Sequence, residues 1–114
     1  MTPSDPSRIA GHLHGARKPR MSSGATRDHT ASLFRALGDP ERLRLVEMLS
    51  DAEWCVSELA EAVGGEPTVM SQRLRVLRHE GLVQRRRSGR HIFYRLADAH
   101  VADMVRSTYP DGSA

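Results

Sequence analysis

The 114-residue chain has a single cysteine, Cys55, and a single lysine, Lys18. One thiol excludes an intramolecular disulfide framework and fits a reducing, cytoplasmic setting. No run of about 18 apolar residues exists, so no segment is expected to span a membrane. The first 27 residues also lack the apolar stretch that a secretion signal requires. Catalytic equipment is equally sparse. There is no glycine-rich phosphate loop and no nucleophile with a placed base, and a chain this short has no pocket-sized core, so an enzyme is not expected. Hydrophobic residues make up 39% of the composition, enough for one modest domain whose small core would gain from a dimer interface.

The formal net charge is only +3, yet its placement is uneven. Residues 67–95 hold eight arginines (Arg73, Arg75, Arg78, Arg85, Arg86, Arg87, Arg90 and Arg95) against one acid, Glu80, a local balance of +7. The other 85 residues therefore sum to −4, and within them residues 28–66 carry three arginines against nine acids, or −6. A basic segment beside an acidic body is the footprint of a chain that docks a polyanion by one face. The excess of arginine over lysine carries no such weight, because a GC-rich genome alone would produce it.

Residues 1–27 are rich in Pro, Gly, Ser and positive charge, with almost no apolar periodicity, and read as a disordered basic arm. Met21 stands as an alternative start. The folded domain is expected over 28–109, with 110–114 as a flexible tail. Ala31, Leu33, Phe34 and Leu37 recur at helical spacing and Gly38 stops them. Asp39-Pro40 opens a second helix, an N-cap followed by proline at the first position, with Leu43, Val46 and Leu49 inward. A third helix, 56–63, ends at Gly64-Gly65. Pro67 opens a fourth, running to about Glu80 with Met70, Leu74 and Leu77 buried. The period then changes to two: 83–87 and 91–96 read as strands joined by a tight turn at 88–90. Asp98 starts a last helix and Pro110 breaks it. This is a mainly α fold with a small β-hairpin wing, order ααααββα, the arrangement of a winged helix-turn-helix domain.

Two short helices joined by a glycine turn place the second where it can enter a major groove. Beyond its buried stripe, the fourth helix presents Thr68, Ser71, Gln72, Arg75 and His79 at i, i+3, i+4, i+7 and i+11, one continuous face. Small hydroxyls suit phosphates, Gln suits adenine edges and Arg suits guanine edges. An ordinary solvated helix would carry a similar face, so the hairpin decides. Arg85, Arg86, Arg87, Arg90 and His91 cluster there with no acid among them, more than solubility of an exposed ribbon requires. They suit a wing that follows a phosphate backbone or enters a minor groove.

Four blocks together resemble the ArsR/SmtB family of metal-responsive regulators, in that family's order and spacing: FRALGDPERLRLVEML (34–49), EWCVSELAEAVG (53–64), MSQRLRVLRHEGLV (70–83) and RRSGRHIFYRLAD (86–98). The resemblance covers about residues 31–105. It implies a homodimer built on the first and last helices, here with Leu33, Phe34, Leu37, Val101, Met104 and Val105 at the interface. It also implies a partly palindromic double-stranded operator and a DNA affinity weakened by metal.

Two of the family's metal sites can be compared residue by residue. At Glu53-Trp54-Cys55-Val56-Ser57-Glu58-Leu59, Cys55 matches a first thiolate but Ser57 stands where a second belongs. One thiol is a poor site for soft ions, and Cys55 is read instead as a small buried hydrophobe. On the last helix, Asp98 and His100 match the first half of an Asp-x-His site suited to nickel, zinc or cobalt. The second half departs: Asp111 lies where a histidine belongs, after a helix-breaking proline. Further ligands are sought in Asp103 or Asp111, or in His12 and His14 of the arm. The alternative is that Asp98 is merely a helix N-cap and His100 an exposed side chain. The chain would then be a family member answering to another signal or to a partner protein. More remotely, a winged-helix module for RNA or protein would share the basic wing.

Overall fold

The computed structural model describes residues 18–111, so His12 and His14 of the arm lie outside the described residues. Five helices and a three-stranded sheet occur among the described residues: α1 (Gly24–Leu37), α2 (Pro40–Leu49), β1 (Trp54–Cys55), α3 (Val56–Val63), α4 (Pro67–His79), β2 (Val83–Ser88), β3 (His91–Leu96) and α5 (Ala99–Arg106). The expected order holds, with one strand added before α3.

Helix α1 begins earlier than expected, inside the stretch read as arm. The Ser23 hydroxyl accepts the Thr26 N–H at 3.2 Å, a side-chain N-cap. Residues 24–31 are all exposed, so this first part of the helix has no apolar periodicity to betray it. A corner follows. The Asp39 carboxylate caps α2 by accepting the Arg42 N–H at 2.9 Å, with Pro40 at the first helical position. The Arg42 side chain turns back and donates to the carbonyls of Ala36 at 2.7 Å and Arg35 at 3.3 Å. The Ala36 carbonyl is one of the last four of α1, which lack an intrahelical i+4 donor, and the Arg35 carbonyl also accepts the Gly38 N–H at 3.2 Å. Arg42 therefore ties the end of α1 to the start of α2.

Strand β1 was not expected, because two residues are too few to show a period. It pairs antiparallel with β3 (Trp54 with Tyr94, Cys55 with Phe93), and β3 pairs with β2 from Val83–Leu96 to Ser88–His91, giving the order β1-β3-β2. The Trp54 indole N–H donates to the Met48 carbonyl at 3.2 Å, anchoring β1 to α2. The core lies between the helices and the inner end of the sheet. Leu45, Val46, Leu59, Met70, Leu74, Leu77, Leu82 and Val83 are its largest fully buried side chains, each worth about 1.5–3 kcal/mol of burial. At Gly81 the backbone takes φ +76, and the Leu82 N–H returns to the Leu77 carbonyl at 2.9 Å. Helix α4 therefore ends in a left-handed cap that glycine adopts without strain, and the chain is redirected into the wing.

Candidate nucleic-acid interface

Helices α3 and α4 form the helix-turn-helix. Glu58 holds the start of α3, its carboxylate accepting the Cys55 N–H at 2.9 Å. That bond keeps the Glu58 pKa below its ordinary value. Gly64, at φ 71, ends the helix. On α4, Met70, Leu74 and Leu77 point into the core as expected, fixing which side faces out. Thr68, Gln72, Arg75 and His79 are exposed along the helix, and Ser71 is half-buried at the edge of that face. The structure adds two residues that the sequence reading left in neither set. Val69 and Val76 are 36% and 38% exposed, an apolar pair seven residues apart on the same outward side. Their type suggested burial, and only the helix phase set by the core reveals them.

The wing carries Arg85, Arg86, Arg87, Arg90 and His91, all exposed, with the tight turn at Gly89, φ +63. They do not act as one group. Alternation along β2 places Arg85 and Arg87 opposite Tyr94 and Ile92, and Arg86 opposite Phe93 on the other face. Arg86 has an internal partner. Its Nε donates to both carboxylate oxygens of Glu53 at 3.0 Å, and its terminal nitrogen reaches one of them at 2.6 Å. The guanidinium carbon sits 5.0 Å from the Phe93 ring centroid. The hydrogen bond from Arg86 holds the Glu53 pKa below its ordinary value, and the same bond raises that of Arg86. Among the described residues Arg86 alone of the eight arginines in 67–95 has an ion pair, so the outward positive charge comes from the others, Arg75, Arg85, Arg87 and Arg90 among them.

The metal candidates are only partly assembled. Asp98 is the N-cap of α5, one carboxylate oxygen accepting the His100 N–H at 2.8 Å. The same oxygen lies 3.6 Å from the His100 ring Nδ1, and the His100 side chain is 96% exposed. Asp103, one turn on, borders the same open cleft, about 600 Å³, whose walls are Leu33, Leu82, Val101 and Met104. Asp111 lies beyond Pro110 and past the end of α5. Among the described residues, no group of three or more His, Cys, Asp or Glu gathers closely enough to hold a metal. Cys55 is buried, with its sulfur 3.2 Å from the Ser57 hydroxyl and no second thiol to join it.

The candidate dimer face divides as well. Val101 and Val105 are 7% and 5% exposed and belong to the chain's own core, so they have little surface left for a partner. Leu33, Leu37 and Met104 are half-buried, and Phe34 is 55% exposed.

Comparison with known proteins agrees with this geometry. Residues 39–85 match the model of the bacterial regulatory protein arsR family. The chain is 41% identical over 97 residues to a transcriptional repressor SmtB homolog of Synechocystis, covering 83% of this chain and 74% of that one. It is 36% identical over 104 residues to the transcriptional repressor SmtB of Mycobacterium tuberculosis, covering 85% and 77%. A homodimeric winged helix-turn-helix DNA-binding domain from Mycobacterium bovis superposes with a TM-score of 0.71 at 32% identity, covering 79% of this chain and 85% of the other. The chain belongs to the ArsR family of bacterial DNA-binding transcriptional regulators.

Proposed function

We propose that the chain is a cytoplasmic, dimeric repressor. In this reading it grips a partly palindromic operator through α4 and the β2–β3 wing, and lets go when nickel, zinc or cobalt binds at Asp98 and His100. The observation that carries the proposal is the outward face of α4, where Thr68, Gln72, Arg75 and His79 stand clear of the core. The arginines of the wing at 85, 87 and 90 supply the charge beside it. Phosphate contacts from the wing would position the duplex and α4 would read base edges. Repression follows the two relatives, both named as repressors. The exposed Phe34 and the homodimeric M. bovis domain support a two-fold dimer, which binds inverted half-sites.

The metal half rests on donor chemistry. A carboxylate and an imidazole suit borderline divalent ions. Two donors per chain hold an ion weakly, so a tight site needs Asp103 or Asp111, the pair from a second copy, or His12 and His14. One observation favours a second reading, a regulator that answers to another signal or a partner protein: no three-ligand group forms among the described residues. Fluorescence anisotropy on the chain's own upstream duplex, apo and then with each metal, separates the two. Release by one metal supports the sensor. Tight binding that no metal alters leaves a DNA-binding regulator with another signal. Preference for single strands or A-form RNA would overturn the DNA assignment.

A further inference from the structure

We propose that Arg86 is a positioning residue for the wing and not a phosphate contact: clamped by Glu53 and laid over Phe93, it sets the angle of the hairpin against the helical body. The inference rests on the reading of the wing as a DNA contact, and asks what holds that wing in place.

Glu53 immediately precedes β1, at the far edge of the sheet from β2. Between them runs β3, with Cys55 paired to Phe93 and Phe93 paired to Arg86. The Arg86 side chain therefore crosses the middle strand, over the Phe93 ring at 5.0 Å, to reach a carboxylate 33 residues away in sequence. Adjacent strands are about 4.8 Å apart, so the Arg86 and Glu53 side chains together bridge the two-strand gap. All three nitrogen–oxygen distances are between 2.6 and 3.0 Å, the charge-assisted, forked geometry that arginine makes with carboxylates. Because the pair holds Glu53 below the ordinary carboxylate range, it is charged on both sides at neutral pH.

The outer strand of the hairpin needs such a tie. Val83 is the one buried residue of β2, and every later position is exposed. Beyond Val83, β2 itself has no core to rest on: the hairpin reaches the core through β3, where Tyr94 is buried and Ile92 and Leu96 pack against it. The other side-chain hydrogen bond recorded for β2 among the described residues, Arg95 to Gln84 at 3.2 Å, stays within the hairpin. The Glu53–Arg86 pair joins β2 to the body. Arg85 and Arg87 leave the opposite face of the same strand, so the angle this clamp sets determines where their charges meet a duplex. Exposed ion pairs contribute little to global stability, so the effect belongs in wing order and DNA affinity, not in unfolding.

The test uses the full chain and its upstream duplex, with anisotropy measured across a salt series. Glu53→Gln and Arg86→Met should each weaken binding about two- to fivefold, the range open to an exposed pair. The slope of log affinity against log salt should stay unchanged. The double variant should be no worse than either single, and the swapped pair Glu53→Arg/Arg86→Glu should recover most of the loss. Arg87→Ala is the contrast, lowering the slope by about 0.9 per bound protomer. Without DNA, amide exchange along β2 should speed up in both single variants. A slope reduction in Arg86→Met equal to that in Arg87→Ala would put Arg86 on phosphate and overturn the proposal. Unchanged or tighter binding by Glu53→Gln, or additive losses in the double variant, would overturn it too. Failure of the wild-type chain to bind duplex, or an unchanged slope in Arg87→Ala, would instead sink the DNA-binding wing on which the proposal rests.

Discussion

Phe34 offers the sharpest test of how two copies meet. It lies on α1 three residues before the helix ends, yet 55% of it stays exposed in the isolated chain. An aromatic side chain presents about 200 Å² in full, which leaves roughly 110 Å² uncovered. At about 25 cal/mol per Å², covering that area is worth about 2.7 kcal/mol per copy and about 5 kcal/mol for a symmetric pair. Phe34→Ala keeps the Cβ, so the expected loss is about 4 kcal/mol, roughly a thousandfold in the dimer dissociation constant. Sedimentation over a concentration series reads this directly. Far-ultraviolet circular dichroism should not change, because Phe34 is not part of the buried core. A variant that dimerises within a few-fold of wild type would show that this face of α1 is not the interface.

Other consequences are as direct. Gln72→Ala and Arg75→Ala should each weaken operator binding about ten- to a hundredfold without altering thermal unfolding, since neither side chain is buried; retained sequence preference in both would remove α4 as the reading helix. Asp98→Asn should preserve the cap of α5, asparagine being as good an N-cap as aspartate, while abolishing release by metal. His100→Ala should lose the same response with apo affinity intact, and an undiminished response in either variant moves the site elsewhere. The Glu58 carboxylate, held below its ordinary value of 4.5 by the Cys55 N–H, stabilises α3 fully above that pH and loses the contribution as pH falls through its folded value. The gap in unfolding midpoint between wild type and Glu58→Gln should therefore close on acidification, and a gap that does not vary with pH would show that the charged cap is not what the carboxylate supplies.

The fold was legible where burial imposes a period or a backbone turn demands a residue type. Met70, Leu74 and Leu77 fixed α4, Asp39-Pro40 fixed the start of α2, and the change of period at Val83 announced the hairpin. The two departures have the opposite character. The first turns of α1 are exposed on every side and are held by local hydrogen bonds, the Ser23 cap and Arg27 on the Ser22 carbonyl, so no stripe marks them. Strand β1 is two residues long, and its existence depends on pairing with Tyr94 and Phe93 some forty residues later. Such pairing leaves no local pattern.

The candidate binding face was legible as residue chemistry, but its internal contacts were not. Arg85-Arg86-Arg87 reads as one basic block because a sequence lists charges without their partners. On a strand, neighbouring side chains leave by opposite faces, so a run of three arginines does not present one charged face. Once the register sets Arg86 against Phe93, the middle charge must look to whatever lies beyond β3, and Glu53 is there at 2.6 Å. The same division governs Asp98, whose oxygen already holds the His100 N–H, and Val101 and Val105, whose methyls already fill the core. For Asp98 and the two valines the family resemblance suggested an external partner, and the fold gives each an internal one, for Asp98 the N-cap that the sequence already offered. A charge count over 67–95 therefore overstates what faces a duplex. The salt slope of binding should follow the arginines left outside internal ion pairs, and fall short of the eight that the segment contains.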